Sequence, residues 1–259
     1  MDFVFTALPF AAAMFAGMLI CLEIGRRVGL RHVERDPQLL SGHSSVDGAV
    51  FALYGLLLAF TFSGAPSRLD TRKQLIAEEA NAIETAYLRV DLLPASEQPA
   101  MREQFRNYLE SRLDIYRTPV TDRAAIYAAL AKSEQVQKQI WTQAVAASRL
   151  PDPHPEMGRL LLPALNHMFD ITTTRTMAAN IHPPAIIFAL LFLLALVCST
   201  LAGYGMAVSR QRSWLHIMAF VSIAVISVYV VLEIEYPRMG FVRMDAYDQV
   251  LYDLRNVMR

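Results

Sequence analysis

Residues Ser45–Ser63 read SVDGAVFALYGLLLAFTFS, and this run decides the fold. From Val46 to Ser63 the only charge is Asp47. Such a length crosses a hydrocarbon core of about 30 Å at about 1.5 Å per residue. The run is also sorted by size. On a helix Ser45, Gly48, Ala52, Gly55, Ala59 and Ser63 share one face, while Val46, Val50, Leu53, Leu57 and Phe60 point the other way. A stripe of small residues permits close packing against a neighbouring helix. It equally suits the wall of a water-filled path on the axis of an oligomer. In that case Phe51 and Phe62, which flank the stripe, are candidates for an apolar constriction that gates by dewetting.

Three further apolar runs lie at about Phe3–Ile24, Pro184–Ala207 and Trp214–Leu232. They explain why a 259-residue chain is 54% hydrophobic and only 19% charged. The fold class expected is an all-α membrane protein with four transmembrane helices. Asp2 is the only charge ahead of the first run, so the basic start of a cleaved signal peptide is missing and a retained span is expected. Lys plus Arg equals Asp plus Glu at 24 each, which argues against nucleic acid as a partner. Cys21 and Cys198 both fall within apolar runs and suggest neither a disulfide framework nor a thiolate site.

The expected organisation is a first hairpin over residues 1–64, with spans at about 3–24 and 46–63. A soluble helical domain follows over 65–181, inserted between the second and third spans. A second hairpin covers 182–233, and an amphipathic helix covers 234–259. Within the inserted domain, Phe105, Tyr108, Leu109, Arg112 and Tyr116 recur at helical spacing, as do Leu161, Leu165, Met168 and Phe169. Pro94, Pro119 and the cluster Pro151, Pro153, Pro155 divide the domain into helices at about 67–92, 96–117, 121–149 and 156–180. The first and last are expected to continue from membrane helices. On the tail, Tyr247, Val250, Leu251, Leu254 and Met258 share a face, with Asp245, Asp248 and Asp253 as its acidic side.

Two polar groups stand out. Glu78, Glu79, Asn81 and Glu84 form a dense patch with Arg68, Arg72 and Arg89 as nearby candidate partners. It reads as a hydrogen-bonded network between helices or as an ion-binding or gating patch. Glu233 and Glu235 close the fourth run just before Pro237 and Gly240. They suit a solvated helix end, the reading preferred here, or a carboxylate pair that attracts cations at the membrane exit. Glu23, with Arg26 and Arg27 at i+3 and i+4, reads as a surface pair. The six histidines, at 32, 43, 154, 167, 182 and 216, lack metal-ligand spacing, and no phosphate loop or nucleophile elbow is present. No enzyme activity, cofactor or metal is expected.

Arg26, Arg27, Arg31 and Arg35 in the first connecting loop, with Arg210 and Arg212 in the second, place both short loops in the cytoplasm by the positive-inside rule. Arg68, Arg72, Lys73, Arg175, Arg238 and Arg243 lie near the opposite span ends, and the uncharged start before Arg26 tips the balance. The helical domain is then periplasmic, in a bacterial inner membrane.

Residues Arg68–Arg89, RLDTRKQLIAEEANAIETAYLR, followed by Asp91-Leu-Leu-Pro94, resemble the signature of the bestrophin-like domain proteins, a large bacterial family. Glu233–Gly240 and Asp245–Gln249 resemble its C-terminal block. The resemblance implies a remote kinship with bestrophins, which are pentameric anion channels whose second span lines the pore. It therefore implies a homo-oligomer, a pentamer if bestrophin-like, that passes small ions, anions above all, along residues 45–63. A run of acidic residues like the bestrophin Ca²⁺ clasp is missing here, and bestrophins keep their helical domain in the cytosol, opposite to the loop charges of this chain. The competing reading is a non-conducting membrane scaffold or sensor whose helical domain binds a partner protein.

Overall fold

A computed structural model describes residues 3–35, 44–119, 121–150, 156–208, 212–237, 241–242 and 244–258. Pro37, Gly42, Pro151, Pro153, Pro155, Arg210, Arg238, Gly240 and Arg243 lie outside the described residues. Among those described, all regular structure is helical: α1 (Phe3–Arg35), α2 (Ser44–Leu88), α3 (Gln98–Arg117), α4 (Arg123–Ala147), α5 (Met157–Asn180), α6 (Ala185–Gly205), α7 (Trp214–Glu235) and α8 (Asp245–Val257), with 3-10 turns at Arg89–Leu92 and Met206–Val208. Four helices are long and apolar enough to cross a membrane, the layout of a multi-pass membrane protein.

Helix ends follow local chemistry. Asp122 caps α4 by accepting from the Ala125 N–H at 2.9 Å. α3 stops at Arg117, two residues before Pro119. α5 does not run on into α6: residues 181–184 are not helical, because Pro183 and Pro184 push the backbone before them out of the α region. α2, by contrast, keeps Pro66 inside a 45-residue helix. α1 extends to Arg35, so Arg26, Arg27 and Arg31 stand on the last turns of a helix and not in a loop.

The chain divides into two compact units, Met1–Ser67 with His182–Val242, and Arg68–Ile181 with Arg243–Arg259. In the first, Met14 and Met18 of α1, Tyr54 of α2, Leu191, Ala195 and Cys198 of α6, and Val221 and Val228 of α7 make one apolar core. Its outside is apolar too, with Leu215 78%, Ile186 74% and Phe60 69% exposed, as suits a bundle solvated by lipid. In the second, Ile83, Phe105, Tyr108, Ile140, Leu165 and Met168 form the centre. The tail is not a region of its own. Leu251 and Leu254 of α8, with Met258 just after it, enter this second core, while Tyr247 and Val250 stay exposed, so the expected apolar face of five is split.

The tightest packing in the first unit is between α1 and α6. A Cβ placed on Gly25 would sit 2.0 Å from the Thr200 carbonyl oxygen, and one on Gly203 2.0 Å from that of Leu22. Gly29 meets Tyr204 and Ala207 in the same way, at 2.7 and 2.6 Å. Beyond this contact the His32 ring stands edge-on to Tyr204, its Nδ1 3.1 Å from the hydroxyl. Gly25→Ala and Gly203→Ala are therefore expected to lose at least the upper end of the about 1–3 kcal/mol that overpacking costs. Gly48→Ala and Gly55→Ala, where nothing lies within 4 Å, leave the fold of the chain unchanged. Thermal unfolding of the four variants in detergent checks this, and equal losses in all four would refute it.

Candidate functional site

Within the span, α2 has three faces. Tyr54, Thr61 and Ala65 are buried against the rest of the first unit, with Val50, Phe51, Leu57 and Leu58 partly buried beside them. Phe51 packs edge-on to Phe220 of α7, ring centres 6.0 Å apart, and so belongs to the core of the unit. The small-residue stripe lies on another face, where Ser45, Gly48, Ala52, Gly55, Ala59 and Ser63 are all exposed. Phe62, at its flank, is 45% exposed. The third face carries Val46, Leu53 and Phe60, exposed by 63%, 54% and 69% and spaced by seven residues. The large residues expected to oppose the stripe thus divide: Val50 and Leu57 turn inward, and the other three form a free ridge. Close packing of the stripe against a helix of the same chain is set aside, since that role belongs to α1 and α6.

In the second unit the acidic patch separates. Glu78, Asn81 and Glu84 are exposed, whereas Glu79 is fully buried. Its partners are not Arg68, Arg72 or Arg89. Arg112 of α3 donates from Nε to Glu79 Oε1 at 2.5 Å, and Arg175 of α5 donates from Nη1 to Oε2. The Tyr116 hydroxyl donates to Oε2 at 3.1 Å and accepts from Arg112 Nη2 at 2.8 Å. Arg175 lies over the Tyr116 ring, 4.0 Å from its centre, and reaches Asp248 Oδ1 of α8 at 3.2 Å. Asp248 is 4% exposed, so it belongs to this cluster and not to a solvated acidic side of the tail. Asp253 does stay exposed, beside Gln249. Arg72 instead donates to the Ala178 and Ile181 carbonyls at 3.1 and 2.8 Å, where α5 ends, and Arg89 donates to the Leu160 carbonyl at 2.7 Å.

Burial alone would raise the Glu79 pKa. The Arg112 and Arg175 guanidiniums outweigh it and hold the carboxyl below the ordinary carboxylate range. For Arg112, burial opposes the charge, but Tyr116 and Glu79 raise its pKa further.

The solvated helix end expected at the close of α7 is corrected, because both carboxylates are buried. Glu233 accepts from the Tyr229 hydroxyl at 2.5 Å and the Phe241 N–H at 2.6 Å, tying Phe241 to the end of α7. Glu235, fully buried, lies 3.4 Å from Nδ1 of His182, whose ring stacks on Tyr236 at 4.4 Å. Among the described residues no group of three or more His, Cys, Asp or Glu could hold a metal ion. Glu23 is shared by Arg27 at 2.9 Å and Arg212 at 3.1 Å.

Sequence reading missed Arg112, Tyr116, Arg175 and Asp248 as a group. The available signal was Arg112 itself, a charge inside the apolar series Phe105, Tyr108, Leu109, Tyr116. The α1–α6 contact had a clearer one, Gly25-Arg-Arg-Val-Gly29, a small-xxx-small pair at the end of an apolar run.

Because Glu79 has its pKa depressed on folding, the stability it contributes is present above the unfolded carboxylate value of about 4.3 and is lost as pH falls through the folded value. Unfolding of the wild type should become easier as pH drops below about 4.3, and Glu79→Gln should flatten that slope. At neutral pH the same variant leaves two buried guanidiniums short of a partner and is expected to lose about 3–5 kcal/mol. Denaturant unfolding followed across pH checks both; a variant with wild-type stability and an unchanged slope would contradict them.

The family model described as the bestrophin-like domain matches residues 12–245 of the chain. Comparison with curated proteins and with solved structures gives no match.

Proposed function

The chain belongs to the bestrophin-like domain family, and from that premise we propose a homo-oligomeric ion channel in which α2 surrounds the axis. The observation that carries the reading is the pair of uncovered faces on α2. The groove made by Gly48, Ala52, Gly55 and Ala59 and the ridge made by Val46, Leu53 and Phe60 are both left free by the chain's own helices. The ridge of one copy fits the groove of the next, and a repeat of seven residues keeps such a seam in register along a left-handed supercoil.

The angle between the faces bears on the size of the ring. At about 100° per residue, groove and ridge are about 110–130° apart around α2. That equals the interior angle of a closed ring of about five to seven members, a range that includes the pentamer implied by the resemblance. Between the two faces Ser45, Ala52, Leu56 and Ser63 turn toward the axis. Gly48, Gly55 and Ala59 let neighbours approach at the sides. Leu56, 54% exposed, supplies apolar narrowing that gates by dewetting, whereas Phe62 falls on the far flank of the groove, away from the axis.

The second unit, with its exposed Glu78 and Glu84, is the extramembrane domain between the second and third spans. The basic helix ends at Arg26, Arg27 and Arg31, with Arg212, face the cytoplasm of a bacterial inner membrane. Small anions are the cargo proposed, on the strength of the resemblance to bestrophins.

Purified protein in planar bilayers is expected to carry current, and Gly55→Trp or Ala52→Phe to abolish most of it while the protein still folds. Leu215→Ala, on the exposed face of α7, should leave the current unchanged. Native mass spectrometry should show closed rings of at least four copies. Absence of current together with a monomer or dimer would favour the scaffold reading instead.

A further inference from the structure

Among the described residues, two buried polar atoms of the second unit, Arg112 Nη1 and Ser133 Oγ, have no hydrogen-bond partner. Their residues are 1% and 2% exposed. Both stand on facing helices of the α3–α4 hairpin, and the bonds across that hairpin fix its register. Gln137 donates to the Tyr108 hydroxyl at 3.2 Å, and Lys132 donates to Asp114 at 3.3 Å. These two pairs bracket Arg112 and Ser133 and place them at the same level. Ser133 shares the buried face of α4 with Val136 and Ile140, so its hydroxyl belongs to the interior.

We infer that Arg112 Nη1 and Ser133 Oγ form a buried site for one neutral acceptor the size of water, which bridges α3 to α4. The guanidinium nitrogen has only hydrogens to offer, so the guest must accept. The serine hydroxyl either donates or accepts, which water satisfies in both senses. Among the described side chains of the cluster, Glu79 and Asp248 balance Arg112 and Arg175. A bound anion would leave an uncompensated charge in an apolar core, whereas a neutral guest leaves the balance intact. Buried waters in proteins characteristically join polar groups that the chain itself leaves unsatisfied. Here such a molecule ties α4 to the charge cluster, whose protein-only members come from α2, α3, α5 and α8.

The inference is independent of conduction and is tested on the full chain in nanodiscs, at a resolution that shows ordered water. In the wild type a peak is expected within about 2.7–3.2 Å of both atoms. Ser133→Val, which removes the hydroxyl and fills its space, should lose the peak. No peak in the wild-type map, or a serine hydroxyl bonded directly to Arg112, would overturn the proposal. So would a much stronger density peak at the position after exchange into bromide, which would identify an anion. Should Ser133→Val fail to fold, the wild-type map and the bromide exchange decide the matter by themselves.

Discussion

In hydrocarbon a helix gains nothing by hiding apolar side chains from its surroundings, because the surroundings are equally apolar; helices hold together there only where surfaces fit closely. The crossing of α1 on α6 meets that constraint. Gly25, Gly29 and Gly203 remove every Cβ that would keep the two backbones apart, and each faces main-chain atoms of the other helix. Tyr54, Leu191 and Val221 then pack around a pair already brought together. A side chain at any of the three glycines would push apart backbone and not the flexible end of a neighbour, so the defect could not relax locally.

The second unit solves a different problem with buried charge. Glu79 gathers Arg112 and Arg175, and Arg175 passes the connection on to Asp248, so one carboxylate joins α2, α3, α5 and α8. Such a cluster is not a large source of stability, since desolvating the charges offsets most of their attraction. Its effect is on register. Any packing that moved Glu79 away from both guanidiniums would leave a charge unpaired among Phe105, Tyr108 and Leu165, and few alternative arrangements survive that cost.

These two devices differ in how far the sequence discloses them. Spans are legible because their signal is local: eighteen mostly apolar residues, Val46–Ser63, with a single charge admit few other readings. Helix identity in the second unit is legible for the same reason, through the recurrence of Phe105, Tyr108 and Leu109. Pairing is not. Arg112 and Glu79 are 33 residues apart and Arg175 and Glu79 are 96, and neither spacing carries a periodicity. Proximity along the chain therefore pointed to Arg72 and Arg89, which instead satisfy carbonyls of α5. The expected run of the helix at 156–180 into the third span fails at a pair of prolines. Pro66 sits inside α2 because the long helix tolerates a lost bond, while Pro183 and Pro184 act together and break the helix.

The same residue type does opposite things on neighbouring helices, and that contrast bears most directly on function. Gly25 and Gly203 are explained by what they touch. Gly48 and Gly55 touch nothing in their own chain, yet glycine in a helix interior costs about 1 kcal/mol relative to alanine. A lipid-facing position would offer no return for that cost, because lipid accepts larger side chains equally well. A return exists where another helix must approach, or where a path must stay open. The proposed ring of α2 helices would supply both conditions at once: its groove side would receive the ridge of the next copy, while its inward side, Ser45, Ala52 and Ser63, would border the axis.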